Sequence, residues 1–165
     1  METPKRYHPL MVTMHWLTVI LLLGAGILSG QGPSSSPISV HMVFGALLLV
    51  VMLVRLVTRF TVQRPAPADA GNPILNKVGE LVHIGLYAAA FYILILGGLI
   101  ASQRNLIGYV FGNGSVERVS RELRSFHELG WFVTALLVLL HIGGALYHQV
   151  IRKDNLISRM WFGNK

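Results

Sequence analysis

Residues 125–150 read SFHELGWFVTALLVLLHIGGALYHQV, and this stretch decides the fold. The run from Phe126 to Val150 is long enough for one helix to cross a hydrocarbon layer of about 30 Å. It carries His127, His141 and His148, and histidine is costly in lipid unless it faces a cofactor, a partner or a polar cavity. At about 100° and 1.5 Å per residue, the step from His127 to His141 returns to nearly the same face, about 40° away, after a rise of roughly 21 Å. Two imidazoles therefore face one way at two depths. One metal ion does not bridge that gap, whereas two haem irons stacked across the membrane each have a use for one of them.

Working outward, three more apolar runs of similar length precede this one. The four candidate spans are Leu10–Ser29, Val40–Thr58, Leu81–Ala101 and Phe126–Val150. With 53% apolar and 13% charged residues in 165 and a mean hydropathy of +0.56, the composition excludes an ordinary soluble domain. The expected fold is all-α: a four-helix transmembrane bundle forming one domain over residues 1–165. Lys5 and Arg6 ahead of an apolar run resemble a signal peptide. The run's length, His15-Trp16 near its start and the lack of an A-x-A site argue instead for a retained first helix. Ten Lys/Arg fall on the side of both termini and four on the other, Arg104, Arg118, Arg121 and Arg124. The positive-inside rule then places both termini in the cytoplasm. The net charge of +7 follows from this bias, and without an aromatic-lined basic groove it does not indicate nucleic acid. There is no cysteine, which excludes disulfides, thiolate-bound iron–sulfur clusters and covalently tethered haem.

The histidines sort by depth. His15 opens the first span on the inner side and His41 opens the second on the outer side; the fourth span runs inward, with His127 outside and His141 deeper. The expected pairs are His41 with His127 and His15 with His141, each a set of axial ligands for one b haem in the bundle core. His148, seven residues beyond His141, competes for the inner site or sits at the headgroups. An intramembrane histidine also serves as a plain interhelical hydrogen-bond donor; agreement of four residues in depth favours ligation. Gly45, Gly130, Gly143 and Gly144 suit either a porphyrin close to the backbone or bare helix packing, and Trp16, Trp131 and Trp161 read as interface anchors. The linker Thr61–Asn76 shows no chemistry, the turn Gly112-Asn113-Gly114 interrupts the outer loop, and VERVSRELRS reads as a short surface helix.

His15-Trp16, His41, the His127/His141 spacing and the tail His148…Arg152-Lys153-Asp154-Asn155-Leu156…Arg159-Met160 together resemble the bacterial cytochrome b561 family over essentially the whole chain. That resemblance implies a small di-haem, quinone-linked cytochrome of the bacterial inner membrane, with His41/His127 holding the outer haem and His15/His141 the inner. The compact build is most similar to the family's superoxide oxidases, which pass electrons from superoxide outside to ubiquinone.

No carboxylate lies mid-span, Glu80 and Glu128 sitting at helix ends, so electron transfer is expected ahead of proton pumping or ion-coupled transport. Ubiquinone, the expected lipid-soluble partner, needs a donor near one haem; His83, His148, Arg104 and Ser102 are candidates. Outside, Arg124 and Arg104 are the candidates for attracting superoxide, while Arg118 and Arg121 have i,i+4 glutamates and read as helix support. Two other readings stay open: a haem relay or anchor subunit for a dehydrogenase, hydrogenase or periplasmic redox partner, and a histidine-lined metal transporter without haem.

Overall fold

The computed structural model describes residue 4 and residues 6–28, 35–110 and 120–162. In lipid a span must satisfy its own backbone N–H and C=O groups, which a helix does. Four long helices meet that demand: α1 (Pro9–Leu28), α2 (Ser35–Thr61), α3 (Pro73–Gln103) and, after a short α4 (Leu106–Val110), α5 (Arg121–Tyr147). Each of the four is long and apolar enough to cross a membrane. The described residues contain no strand.

The helices outrun the apolar runs that mark them. α2 begins at Ser35, so His41 lies about two turns inside the helix and does not open it. α3 begins at Pro73, behind Asn72, whose side chain accepts from the Ile74 N–H at 2.8 Å; an N-cap asparagine followed by proline is a strong start signal. The stretch expected as a separate surface helix is, from Arg121 onward, the beginning of α5 itself, capped by Ser120. No glycine or proline separates Arg121 from Phe126, so nothing breaks the helix there. Arg118 and the Gly112-Asn113-Gly114 turn lie outside the described residues. At the other end, α5 passes into a π-helical turn, His148–Arg152, closed by Lys153 at φ 55°.

Packing joins α1 to α2 and α3 to α5 along their lengths, with a sparser seam between α2 and α3. Leu21, Leu48, Met52 and Ala90 form the centre of the apolar core, with Phe44, Tyr87 and Phe91 against them. Without a hydrophobic drive between helices in lipid, small residues set the close approaches. Gly24 takes the ring of Phe44, and a Cβ on Gly130 would stand 2.5 Å from Ile93 Cγ2. Gly130 is thus a helix-packing glycine and does not line a ring pocket. The backbones of α1 and α5 hardly approach each other; the Trp131 indole crosses to Gly26 instead. Trp131 is therefore a spacer inside the bundle, which corrects its reading as an interface anchor.

Both termini and the 62–72 linker meet at one end of the bundle. Trp16 Nε1 donates to the Met160 carbonyl at 2.9 Å and its ring meets Trp161 edge-on at 5.5 Å. Arg159 donates to the Ala66 carbonyl at 3.2 Å, and the Tyr147 hydroxyl to that of Ala70 at 3.3 Å. The linker that looked featureless is the seat on which the C-terminal tail is tied, through backbone carbonyls that no side-chain pattern reveals.

Candidate functional site

The sequence spacing puts His127 and His141 on one stripe of α5, and the structure gives each a partner from another helix. At the terminus-bearing end His15 of α1 faces His141, with ring centres 6.1 Å apart. At the far end His41 of α2 faces His127, with ring centres 6.2 Å apart. All four rings are partly buried. An imidazole nitrogen lies about 2 Å from a metal it binds and about 1.1 Å from its own ring centre, so two imidazoles on opposite sides of one iron have centres about 6 Å apart. Both pairs match that spacing.

The donor chemistry fits at the far end. His41 Nδ1 lies 2.9 Å from the Ala25 carbonyl, in the last turn of α1, where helix carbonyls lack a full set of backbone donors. A carbonyl only accepts, so Nδ1 carries the proton and Nε2 keeps the lone pair that a metal needs. His127 Nδ1 is buried without a hydrogen-bond partner among the described residues; the Ile93 carbonyl is close but outside hydrogen-bonding geometry. Beside the pairs, a Cβ on Gly45 or Gly144 would meet nothing within 4 Å. Gly45 stands about 40° from His41 and Gly144 about 60° from His141 around their helices, so each leaves open space on a histidine's own side. Gly143 is equally open but lies about 160° from His141, on another face. The residues therefore fit a planar group held between imidazoles at each end. The described residues contain no cluster of three or more His, Cys, Asp or Glu able to hold a bare metal ion.

His83 and His148 part company. The His83 ring packs edge-on to His141 with centres 5.0 Å apart, closer than two imidazoles on opposite sides of one iron, and its Nδ1 donates to the Gly79 carbonyl at 2.7 Å. His148 does not join the inner pair: its Nδ1 is 2.6 Å from Asp154 Oδ2, held there because the π turn and Lys153 fold Asp154 back beneath it. At the opposite end Arg124 pairs with Glu128 at 2.8 Å, both exposed. The Arg104 N–H caps α3 on the Ile100 carbonyl at 3.0 Å.

Two features escaped the sequence reading. Thr134 lies between His127 and His141 on the same stripe, is 1% exposed and bonds back to the Gly130 carbonyl at 2.8 Å. A threonine within a run of Val and Leu gives no signal until the stripe is traced from the two histidines. Arg55, one of the ten cations on the side of the termini, reaches His15 Nδ1 at 3.5 Å and lies over the Tyr87 ring.

Four spans with an imidazole pair near each end have the build of a membrane cytochrome. The model of the prokaryotic cytochrome b561 family matches residues 6–163, and the chain belongs to that family: multi-pass electron-transport proteins of the bacterial inner membrane, whose membership implies haem b. Among its relatives, cytochrome b561 homolog 2 of Escherichia coli K12 is 27% identical over 96% of this chain and 93% of its own. Cytochrome b561 homolog 1 of the same strain is 24% identical over 94% and 97%. The protein named "Probable superoxide oxidase CybB" of Yersinia pestis is 25% identical over 94% and 96%. No solved structure matches.

Proposed function

We propose that the chain holds two b haems, an outer one between His41 and His127 and an inner one between His15 and His141, and moves electrons from superoxide outside the membrane to ubiquinone. The observation that carries this is the pair of ring separations, 6.1 and 6.2 Å. When bound, haem with two imidazole ligands supplies one-electron transfer at its edge and no open position for oxygen. Two superoxide anions give one electron each and leave as dioxygen; one ubiquinone takes both electrons and two protons and leaves as ubiquinol. The likeness to a relative named as a superoxide oxidase supports this donor.

The chain's own residues do the rest. The Ala25 carbonyl orients His41, Trp131 against Gly26 fills the gap between α1 and α5, and buried Thr134 closes the stripe between the two histidines against water. With both termini in the cytoplasm, the orientation that the loop charges favour, His148 and Asp154 form a proton-holding pair at the inner surface, where quinone reduction takes up protons. His83, exposed on α3 against His141, is the second candidate donor to a quinone carbonyl. Arg124 and Arg104 stand at the outer end.

The test is anaerobic reduction of the purified protein by superoxide with a short-chain ubiquinone as sole acceptor. Ubiquinol and dioxygen should appear in a one-to-two ratio. Spectra that stay oxidised under a superoxide flux when the quinone is omitted would rule this donor out.

A further inference from the structure

Arg55 lies about 9 Å short of the end of α2, a depth at which an arginine is costly unless something answers its charge. Arg59 follows one turn on, on the same face. Their guanidinium carbons lie 5.6 and 5.3 Å from the centre of one ring, Tyr87, and Tyr87 is itself packed against the core of Leu21, Leu48, Met52 and Ala90. The aromatic face thus holds both cations in place. Neither is in an ion pair: among the described residues those are Lys77–Glu80, Arg124–Glu128 and His148–Asp154. Two like charges four residues apart repel, and no acidic residue occurs in α2.

Besides Tyr87, Arg55 meets His15, and that second contact does not survive loading of the site. Its NH2 group is 3.5 Å from His15 Nδ1, at the outer limit for a hydrogen bond. A guanidinium only donates, so the contact needs a lone pair on Nδ1. If His15 binds a metal through Nε2, Nδ1 carries the proton; if it binds through Nδ1, the lone pair is on the metal. In either case Arg55 loses His15 and, still against Tyr87, lies beside the inner ring pocket next to Arg59.

A b haem carries two carboxylates on one edge, and these avoid the centre of the bilayer for the reason that any charge does. We propose that Arg55 and Arg59, held over Tyr87, are the receptor for the two carboxylates of the inner haem, with Arg55 exchanging His15 for a carboxylate as the ring seats. Two cations without an anion then meet two anions, in the charge-assisted geometry that arginine favours. The same chemistry would suit lipid phosphate, so the test separates the two sources. The proposal rests on the two-haem reading above.

The full chain, carrying His41→Ala to leave only the inner site, is produced without haem and placed in lipid nanodiscs of fixed composition. It is then titrated with protohaem or with its dimethyl ester, whose carboxylates are masked. The parent chain should bind protohaem about tenfold or more tightly than the ester. R55Q and R59Q should each narrow that preference, the double variant should abolish it, and R59K should restore part. In chains with both haems, R55Q/R59Q should lower the reduction potential of the inner haem and leave the outer unchanged, which also shows that the bundle is folded. A double variant that keeps the preference, or loses both ligands equally, overturns the proposal. So does an affinity that follows the anionic lipid fraction and not esterification. Absence of any haem at the inner site of the parent chain would overturn the two-haem reading itself, and this inference with it.

Discussion

His41 and His127 face each other with ring centres 6.2 Å apart, and of the two it is His41 that is anchored, its Nδ1–H held by the Ala25 carbonyl at 2.9 Å. That bond leaves Nε2 unprotonated and ready to ligate. His41→Ala or His127→Ala should therefore empty the outer site and leave the inner haem spectrum intact, and His15→Ala or His141→Ala should do the reverse. His83→Ala and His148→Ala should keep two haems per chain, measured by pyridine haemochrome. Loss of the inner haem in His148→Ala with retention in His141→Ala would reassign that ligand.

The glycines divide into packing and open positions, and alanine distinguishes them. At Gly130 a Cβ would stand 2.5 Å from Ile93 Cγ2 and 2.9 Å from the Tyr92 ring, so Gly130→Ala should destabilise the α3–α5 contact by about 1–3 kcal/mol, as overpacking does. Gly143→Ala meets nothing and should leave thermal stability unchanged. Gly144→Ala should also leave the haem-free protein unchanged yet lower haem occupancy at the inner site. Thermal unfolding with and without haem separates the three.

Span number, the four paired histidines and their pairing were legible in the sequence because each rests on a property that survives without tertiary detail: apolar run length, helical phase and depth. Boundaries were not, because the polar turns that extend α2 and α3 carry no hydropathy signal; only Asn72-Pro73 marks its start chemically. Trp131 was misread, and Gly130 was left open between ring pocket and helix packing, because a tryptophan or glycine near a span end looks the same in sequence whatever it meets. The sequence reading placed His148 near His141 by helical phase alone, and the π turn that turns it toward Asp154 has no pattern in the residues His148–Arg152.

Asp69 gives the linker an acid sensitivity. Its Oδ1 accepts from the Asn76 side chain and from the Gly71 N–H, both at 2.9 Å. The Asn76 amide foremost, then that N–H, hold the carboxyl below its ordinary value of 3.8. A depressed carboxyl contributes stability that is full above the unfolded value and is lost as pH falls through the folded one. Amide exchange at Gly71 should therefore stay slow down to about pH 4 and quicken below it. Asp69→Asn, which keeps the acceptor oxygen without the charge, should remove the acid dependence.

Arg124 and Glu128 form an exposed i,i+4 pair, with side chains 74% and 54% accessible. Such pairs stabilise a helix by only about 0.2–1 kcal/mol, so Arg124→Gln should barely change thermal stability. Its effect on a small anion is a separate matter. While the pair is intact the two charges nearly cancel; removing Arg124 leaves a bare carboxylate one residue from His127, and removing Glu128 leaves a bare guanidinium there. If superoxide reacts at this end, the rate of haem reduction should fall in Arg124→Gln and in Arg104→Gln and rise in Glu128→Gln. The differences should shrink as salt is raised toward 1 M, where the screening length drops to about 3 Å. Stopped-flow reduction at several ionic strengths gives the comparison. Opposite shifts for the two members of one ion pair cannot come from a general loss of helix stability, since breaking the pair from either side weakens the helix in the same sense. Superimposable curves for wild type and all three variants would leave these residues as helix support alone.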